Sequence, residues 1–225
     1  MIVHIPEVLS AAEVARFRER LDGAEWADGK VTAGYQSALA KRNLQLPERG
    51  ETAAALNEAL SQALTRSLLF QAAALPEAIY PAMFSRYETG HDFGAHVDNA
   101  WRPLPNGGRL RTDLSATLFL AAPDSYDGGE LVIEDMAGDR AIKLPAGDMI
   151  LYPSTSLHRV TPVTRGARLA AVFWVQSLVA RDEQRSLLLD LDLAIQSLRP
   201  KAGDDDPALV ALTGVYHNLL RLWSR

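Results

Sequence analysis

Hydrophobic and polar positions recur with two different periods along this chain, and the changes of period divide it into three parts. Val14, Phe17 and Leu21 lie three and four residues apart behind Ser10-Ala-Ala-Glu13. That tetrapeptide is a capping box: the serine hydroxyl can accept from the first helical turn, and the glutamate can return the bond. A polar, glycine-containing stretch, 22–34, follows. From Glu51 to about Ala74, Leu56, Leu60, Leu64 and Leu68 repeat every four residues, which predicts one long helix with a single apolar stripe laid against a sheet.

From Ile79 the period shortens towards two. The segments 82–88, 114–121, 130–134, 140–144, 148–152, 158–163 and 168–176 read as strands. The punctuation between them includes Asp127-Gly128-Gly129, Ala137-Gly138-Asp139, Pro145-Ala146-Gly147 and Arg165-Gly166. Seven or eight short strands within about 100 residues, with no helix between them, predict an antiparallel sandwich or barrel. Jelly rolls are the members of that set that commonly carry a metal at the mouth. After Ser177 the helical period returns, with Leu187, Leu188, Leu191, Ile195 and Leu198 in 181–198. Residues 200–206 read as a polar linker, and Pro207 suits the first turn of a last helix to about Trp223, capped by Asp206. The run Asp204–Asp206 reads as that linker and cap rather than as a metal cluster. The expected organisation is a mainly β fold with flanking helices. Residues 1–177 form one domain, with helices in 1–77 packed on a β core at about 78–177, and 178–225 form a C-terminal helical region.

Composition narrows the chemistry. The chain has 225 residues, 48% of them hydrophobic and 23% charged, in the ordinary range for a soluble domain. No apolar run reaches the roughly 18 residues of a membrane span, and the N-terminal segment does not look like an export signal, so a cytoplasmic protein without a membrane partner is expected. There is no cysteine, so any metal must be held by His, Asp or Glu. The formal charge is −5 with dispersed basic residues, which argues against a nucleic-acid partner.

The candidate site is His96-Val97-Asp98, followed by His158 and Arg168. In an extended segment residues i and i+2 point to one side, so His96 and Asp98 can reach the same ion. Two imidazoles and one carboxylate can occupy one face of an octahedral ion and leave the other face open, the arrangement of non-haem Fe(II) oxygenases. Arg168, expected on the strand after an Arg165-Gly166 turn, offers a permanently charged fork suited to a carboxylate. A lone H-x-D arises often by chance; the ordered set inside one β-rich segment is what gives it weight. Gly90 and Gly94 permit tight backbone beside the site, and Trp101 and Arg102, in the proline-rich 98–111 loop, are candidates for ordinary loop packing or for a lid or substrate wall. His4 and His217 lie in the helical flanks, and His91 has no well-spaced acidic partner.

Tyr87-x-x-Gly90-x-x-Phe93-x-x-His96-x-Asp98, Gly128-Gly129-Glu130-Leu131, Pro145-Ala146-Gly147-Asp148 and His158…Arg168 resemble the Fe(II)/2-oxoglutarate dioxygenases. Leu151-Tyr152-Pro153-Ser154, Leu157-His158-Arg159-Val160, Pro162-Val163-Thr164-Arg165-Gly166 and Phe173-Trp174-Val175-Gln176-Ser177 narrow the resemblance to the bacterial PKHD-type hydroxylases, which are similar to the prolyl 4-hydroxylase catalytic domain. The resemblance spans essentially the whole chain. It implies a double-stranded β-helix, that is, a jelly roll, flanked by helices. It also implies Fe(II) on His96, Asp98 and His158, 2-oxoglutarate anchored by Arg168, and a lesser role for Tyr87 beside that co-substrate. O2 is then consumed, succinate and CO2 are released, and L-ascorbate restores over-oxidised iron. Because related halogenases have a small residue in place of the carboxylate, Asp98 implies hydroxylation. The prime substrate is left open between a peptidyl residue and a small molecule, with a link to iron acquisition among the family's associations. Leu-rich stripes in the helical tail are compatible with a homodimer. The rival readings are a metal-binding jelly roll without turnover, a zinc hydrolase on the same three ligands, and a nucleic-acid demethylase, the last disfavoured by the acidic balance.

Overall fold

The computed structural model describes residues 1–32, 40–104, 107–135 and 138–224, without the side chains of 31 and 32. The end of the 22–34 stretch, Ala137 of the Ala137-Gly138-Asp139 turn, and residues 105 and 106 of the 98–111 loop lie outside that description. Strands are numbered along the chain. The larger sheet runs β1 (Val3–Ile5), β14 (Met149–Pro153), β10 (Leu114–Phe119), β16 (Val163–Ser177), β6 (Met83–Glu88), β4 (Leu44–Gln45) and β2 (Ala27–Asp28). Two further strands, β5 (Pro76–Ile79) and β11 (Tyr126–Gly128), also pair with β16. The smaller sheet runs β13 (Arg140–Ile142), β12 (Leu131–Ile133), β15 (His158–Val160), β7 (Asp92–His96) and β3 (Lys41–Arg42). A separate hairpin joins β8 (Trp101–Pro103) to β9 (Arg109–Arg111). The pairings are antiparallel, as in a jelly roll.

Strand alternation decides what faces what. On β10, Leu114, Ala116 and Leu118 enter the large core beneath the helices, whereas Ser115, Thr117 and Phe119 point to the space between the sheets. The same split places Leu169, Ala171, Phe173 and Val175 of β16 under the helices and turns Arg168, Val172 and Trp174 inward. On β6, Phe84 packs outward against Phe17, and Met83, Ser85 and Tyr87 face inward. The large sheet therefore has one oily face and one face that mixes apolar and functional side chains. Tyr87, Phe119, Ile150 and Tyr152 meet Leu131, Ile133 and Val160 of the smaller sheet and close the space between.

Helices cover the oily face. In α1 (Ala11–Asp22) the capping box forms as expected, Ser10 accepting from Glu13 N and Glu13 accepting from Ser10 N. The stretch read as one helix from 51 to 74 is two, α2 (Glu51–Arg66) and α3 (Leu68–Ala74), divided at Ser67, whose hydroxyl caps Phe70 N. Leu56, Leu60 and Leu64 of α2 are buried, while Leu68, at 82% exposure, lies past the break as the first residue of α3 and leaves the shared face.

Two further expectations are corrected. Arg165-Gly166 is no turn: β16 runs unbroken through it, and the reversal after β15 falls at Thr161-Pro162. Gly166 takes φ +73° where β11 crosses so closely that a Cβ would stand 2.3 Å from Ser125 O, so the glycine serves a close approach within a strand. The 200–206 linker is also shorter, because α4 (Asp182–Ala202) runs on through Pro200 in its last turn, where the missing N–H leaves the Gln196 carbonyl without its helical donor. Its last amide bond runs from Gly203 N to Arg199 O. The final helix, α5 (Pro207–Trp223), begins as expected on the Asp206 cap with Pro207 in its first turn. Tyr216, Leu219, Leu220 and Trp223 pack on Leu75, Val179 and Leu188, so much of the Leu-rich tail is core of the same chain. Among the described residues no helix is long and apolar enough to cross a membrane.

Candidate metal and co-substrate site

β7 and β15 are antiparallel neighbours, and their register sets His96 directly opposite His158. Asp98 follows two residues after His96, just past the end of β7. The ligand atoms of His96, Asp98 and His158 all lie within 4.8 Å of one another, and His158 Nε2 is 3.8 Å from Asp98 Oδ2. Neighbouring ligands on one face of an octahedral ion stand about 3 Å apart, roughly 1.4 times a typical metal–nitrogen bond. A small side-chain adjustment is enough for one cation to bind all three. No other such cluster occurs among the described residues.

Second partners fix each ligand. Nδ1 of His96 lies 2.9 Å from Gly94 O, and Nδ1 of His158 lies 3.0 Å from Ser156 O. A carbonyl only accepts, so both Nδ1 atoms carry a proton and both Nε2 atoms are turned towards the shared space. Burial, then the neighbouring His158, lowers the His96 pKa to about 4, which keeps that ring neutral. Phe93 stacks on His96 at 3.7 Å, and Tyr152 meets His158 edge-on at 5.1 Å. Ser115 Oγ donates to Asp98 Oδ2 at 2.6 Å. Since that uses the only Ser115 hydroxyl proton, the 2.8 Å contact between Ser115 and Ser154 has Ser154 as donor.

Arg168 lies on the inward face of β16, opposite Tyr87 of β6, and only 1% of it is exposed. Its guanidinium stands 5.2 Å from the Tyr87 ring and 5.3 Å from that of Phe119. No ion pair reaches it among the described residues, and its buried Nε has no hydrogen-bond partner. An unpaired buried cation is costly, and an anion arriving beside it removes the cost. Burial raises the Tyr87 hydroxyl to about 12, so it stays protonated and can donate. The cavity encloses about 70 Å³, room for several waters or a small acid, and Tyr87, His96, Asp98, His158 and Arg168 all line it. The five residues singled out from sequence are therefore gathered in one place.

Arg102 reaches the same cavity from β8, and Trp101 beside it is exposed. Ser115 and Lys41 were not singled out in the sequence, and Ser154 entered only within the Leu151-Tyr152-Pro153-Ser154 motif. For Ser115 there was a signal: Ser115 and Thr117 are small polar residues on one face of an otherwise apolar strand, and polar groups at such positions have partners. Lys41, on the two-residue strand β3, and Ser154, just past the end of β14, gave none. His91 accepts from Glu88 N within a turn, and His4 pairs with Asp148 away from the site.

Residues 82–176 match the 2OG-Fe(II) oxygenase superfamily, and residues 182–225 match the PKHD-type hydroxylase C-terminal domain. The chain is 58% identical to a PKHD-type hydroxylase of Methylobacterium nodulans over 100% of its own length and 99% of that protein's. It is equally identical, with the same coverage, to one from Phenylobacterium zucineum. Among solved structures the fold is similar to a Pseudomonas putida prolyl-4-hydroxylase, with TM-score 0.52 and 22% identity over 78% of this chain and 92% of that one. It is also similar to HygX from Streptomyces hygroscopicus, solved with nickel, 2-oxoglutarate and hygromycin B. There the TM-score is 0.52 and the identity 15%, over 76% of this chain and 81% of that one.

Proposed function

We propose that this chain, which belongs to the PKHD-type hydroxylases and so to the Fe(II)- and 2-oxoglutarate-dependent oxygenases, holds Fe(II) through His96, Asp98 and His158 and anchors 2-oxoglutarate through Arg168, with Tyr87 donating beside it. The supporting observation is Arg168 itself. A buried guanidinium without an anionic partner shares a cavity with three converging metal-type ligands. A zinc hydrolase or a metal sensor accounts for the triad and leaves that cation without a purpose.

With both groups bound, iron and co-substrate supply the means to place one atom of O2 in a C–H bond and the other in succinate, with loss of CO2. The protein's own part is placement. Gly94 and Ser156 hold the imidazoles in the ligating tautomer, and Ser115 fixes Asp98. Arg168 and Tyr87 fix one end of the co-substrate, and Phe93, Leu131, Tyr152 and Val160 keep bulk water from the centre. With a carboxylate at position 98, three side chains would hold the iron, and hydroxylation rather than halogenation would be the outcome. L-Ascorbate would be the reductant that keeps the iron as Fe(II).

The same reading takes 1–177 as the oxygenase domain and 178–225 as its helical appendage, acting in the cytoplasm without membrane or nucleic-acid partners on a small-molecule or peptidyl substrate, with iron acquisition as the setting. A homodimer contact is proposed through residues of the tail that stay exposed, such as Leu187, Leu198, Val210 and Leu222. The test is succinate formation from 2-oxoglutarate by purified protein. Succinate should require both Fe(II) and O2, and formation with zinc alone or without O2 would overturn the reading.

A further inference from the structure

Arg102 is held in the cavity wall without a counter-charge. Its hairpin is docked by Leu110, its cross-strand neighbour on β9, which is fully buried beside Met83 and Trp174. The guanidinium carbon lies 4.0 Å from the Trp174 ring and 4.9 Å from the Tyr80 ring, so two aromatic faces clamp the planar group. Its hydrogen bond among the described residues goes to Met83 Sδ, at 3.2 Å, and its buried Nε has none. No carboxylate among the described residues forms an ion pair with it, and the residues outside the description contain no Asp or Glu.

Lys41 enters the same cavity from the other sheet, where Gln45 accepts from it at 2.9 Å. Arg102 is near enough to disfavour its protonation, second only to burial. Three cations, Lys41, Arg102 and Arg168, thus line the cavity against the single carboxylate Asp98. A divalent ion and a dianionic co-substrate cancel each other, and Asp98 offsets Arg168, so the loaded cavity keeps the charge of Arg102, while Lys41 has Glu48 and Asp28 acting on it as well. A neutral substrate would leave the Arg102 charge uncompensated in a partly dry space.

We infer that the prime substrate carries an acidic group, a carboxylate or its like, next to an apolar or aromatic body, and that Arg102 binds the acid while Trp174 and Tyr80 hold the guanidinium in place. Arg102 is then a specificity-determining residue. The inference deepens the oxygenase reading and rests on it for the position of the reacting bond.

The test uses full-length protein saturated with Fe(II) and 2-oxoglutarate under anaerobic conditions, titrated by calorimetry with phenylacetate and with its neutral counterpart, phenylacetamide. A charge-assisted contact should favour the acid by roughly 10–100-fold. Arg102→Gln should erase that preference, and Arg102→Lys should retain part of it. The visible band of the Fe(II)–2-oxoglutarate complex shows that each variant is folded and loaded. Equal affinity for acid and amide, no binding of the acid at millimolar concentration, or a preference untouched in Arg102→Gln would overturn the inference. Absence of the band in the wild-type protein would instead count against the oxygenase reading.

Discussion

Replacing Arg168 separates a co-substrate anchor from a structural arginine. The side chain is 1% exposed, its stem packs against Gly129, where a Cβ would stand 3.2 Å from its Cδ, and its Nε is unpartnered. A bidentate grip on a carboxylate comprises two charge-assisted hydrogen bonds, each worth about 1.5–3 kcal/mol. Lysine keeps the charge but loses the fork, so Arg168→Lys should weaken 2-oxoglutarate binding by about one bond, roughly 10–100-fold. Methionine loses both bonds, for a weakening of roughly 10²–10⁴-fold. The metal-free protein should respond differently. Methionine fills a similar volume and removes a buried, uncompensated charge, so its Tm should hold or rise, by about 2–4 °C for each kcal/mol recovered. Anaerobic calorimetry of 2-oxoglutarate into the Fe(II) protein gives the first quantity, and a thermal scan of metal-free protein gives the second. If the methionine variant binds 2-oxoglutarate within about threefold of wild type, or if its metal-free form melts well below wild type, Arg168 is a structural residue and the reasoning fails.

Other consequences follow from single contacts. Ser115→Ala removes the hydrogen bond to Asp98 Oδ2 and the acceptor of Ser154, so metal affinity measured by chelator competition should fall about 10–100-fold and the metal-free protein should lose about 1–3 kcal/mol. The His96 pKa, lowered from 6.5 to about 4, means that the unfolded chain takes up this proton first. The metal-free protein should therefore lose stability as pH falls from about 6.5 towards 4, read as a declining urea midpoint, and His96→Phe should show a shallower decline. Gly128 has φ +70°, and a Cβ there would stand 2.0 Å from Pro162 O. Gly128→Ala should cost about 1–3 kcal/mol or more and lower Tm by several degrees, and an unchanged melting curve would contradict the crossing of β11 over β16 described above.

The parts of this molecule that could be read from sequence were those where a local rule and the tertiary fold agree. The caps at Ser10 and Asp206, the β-rich middle and the gathering of His96, Asp98, His158 and Arg168 are of that kind. Misreadings arose where a residue type has two physical uses. Gly166 has the composition of a turn but serves a strand crossing, which only the β11–β16 pairing reveals. Leu68 continues a repeat in sequence but not on the helix surface, and Ser67 ends α2 by capping the next helix. Strands such as β1 and β5, three and four residues long, are too short to show a period, and pairing to a longer neighbour defines them. The unpaired state of Arg102 depends on which distant carboxylates fold near it, and spacing carries no trace of that.

The central claim, that triad and Arg168 together hold Fe(II) and 2-oxoglutarate, is tested most directly by anaerobic addition of both to the metal-free protein while its visible spectrum is recorded. A weak charge-transfer band that needs both additions, and is missing in Asp98→Ala, is the expected result. Tight binding of Fe(II) with no band on adding 2-oxoglutarate, or a band undiminished in Asp98→Ala, would contradict the account.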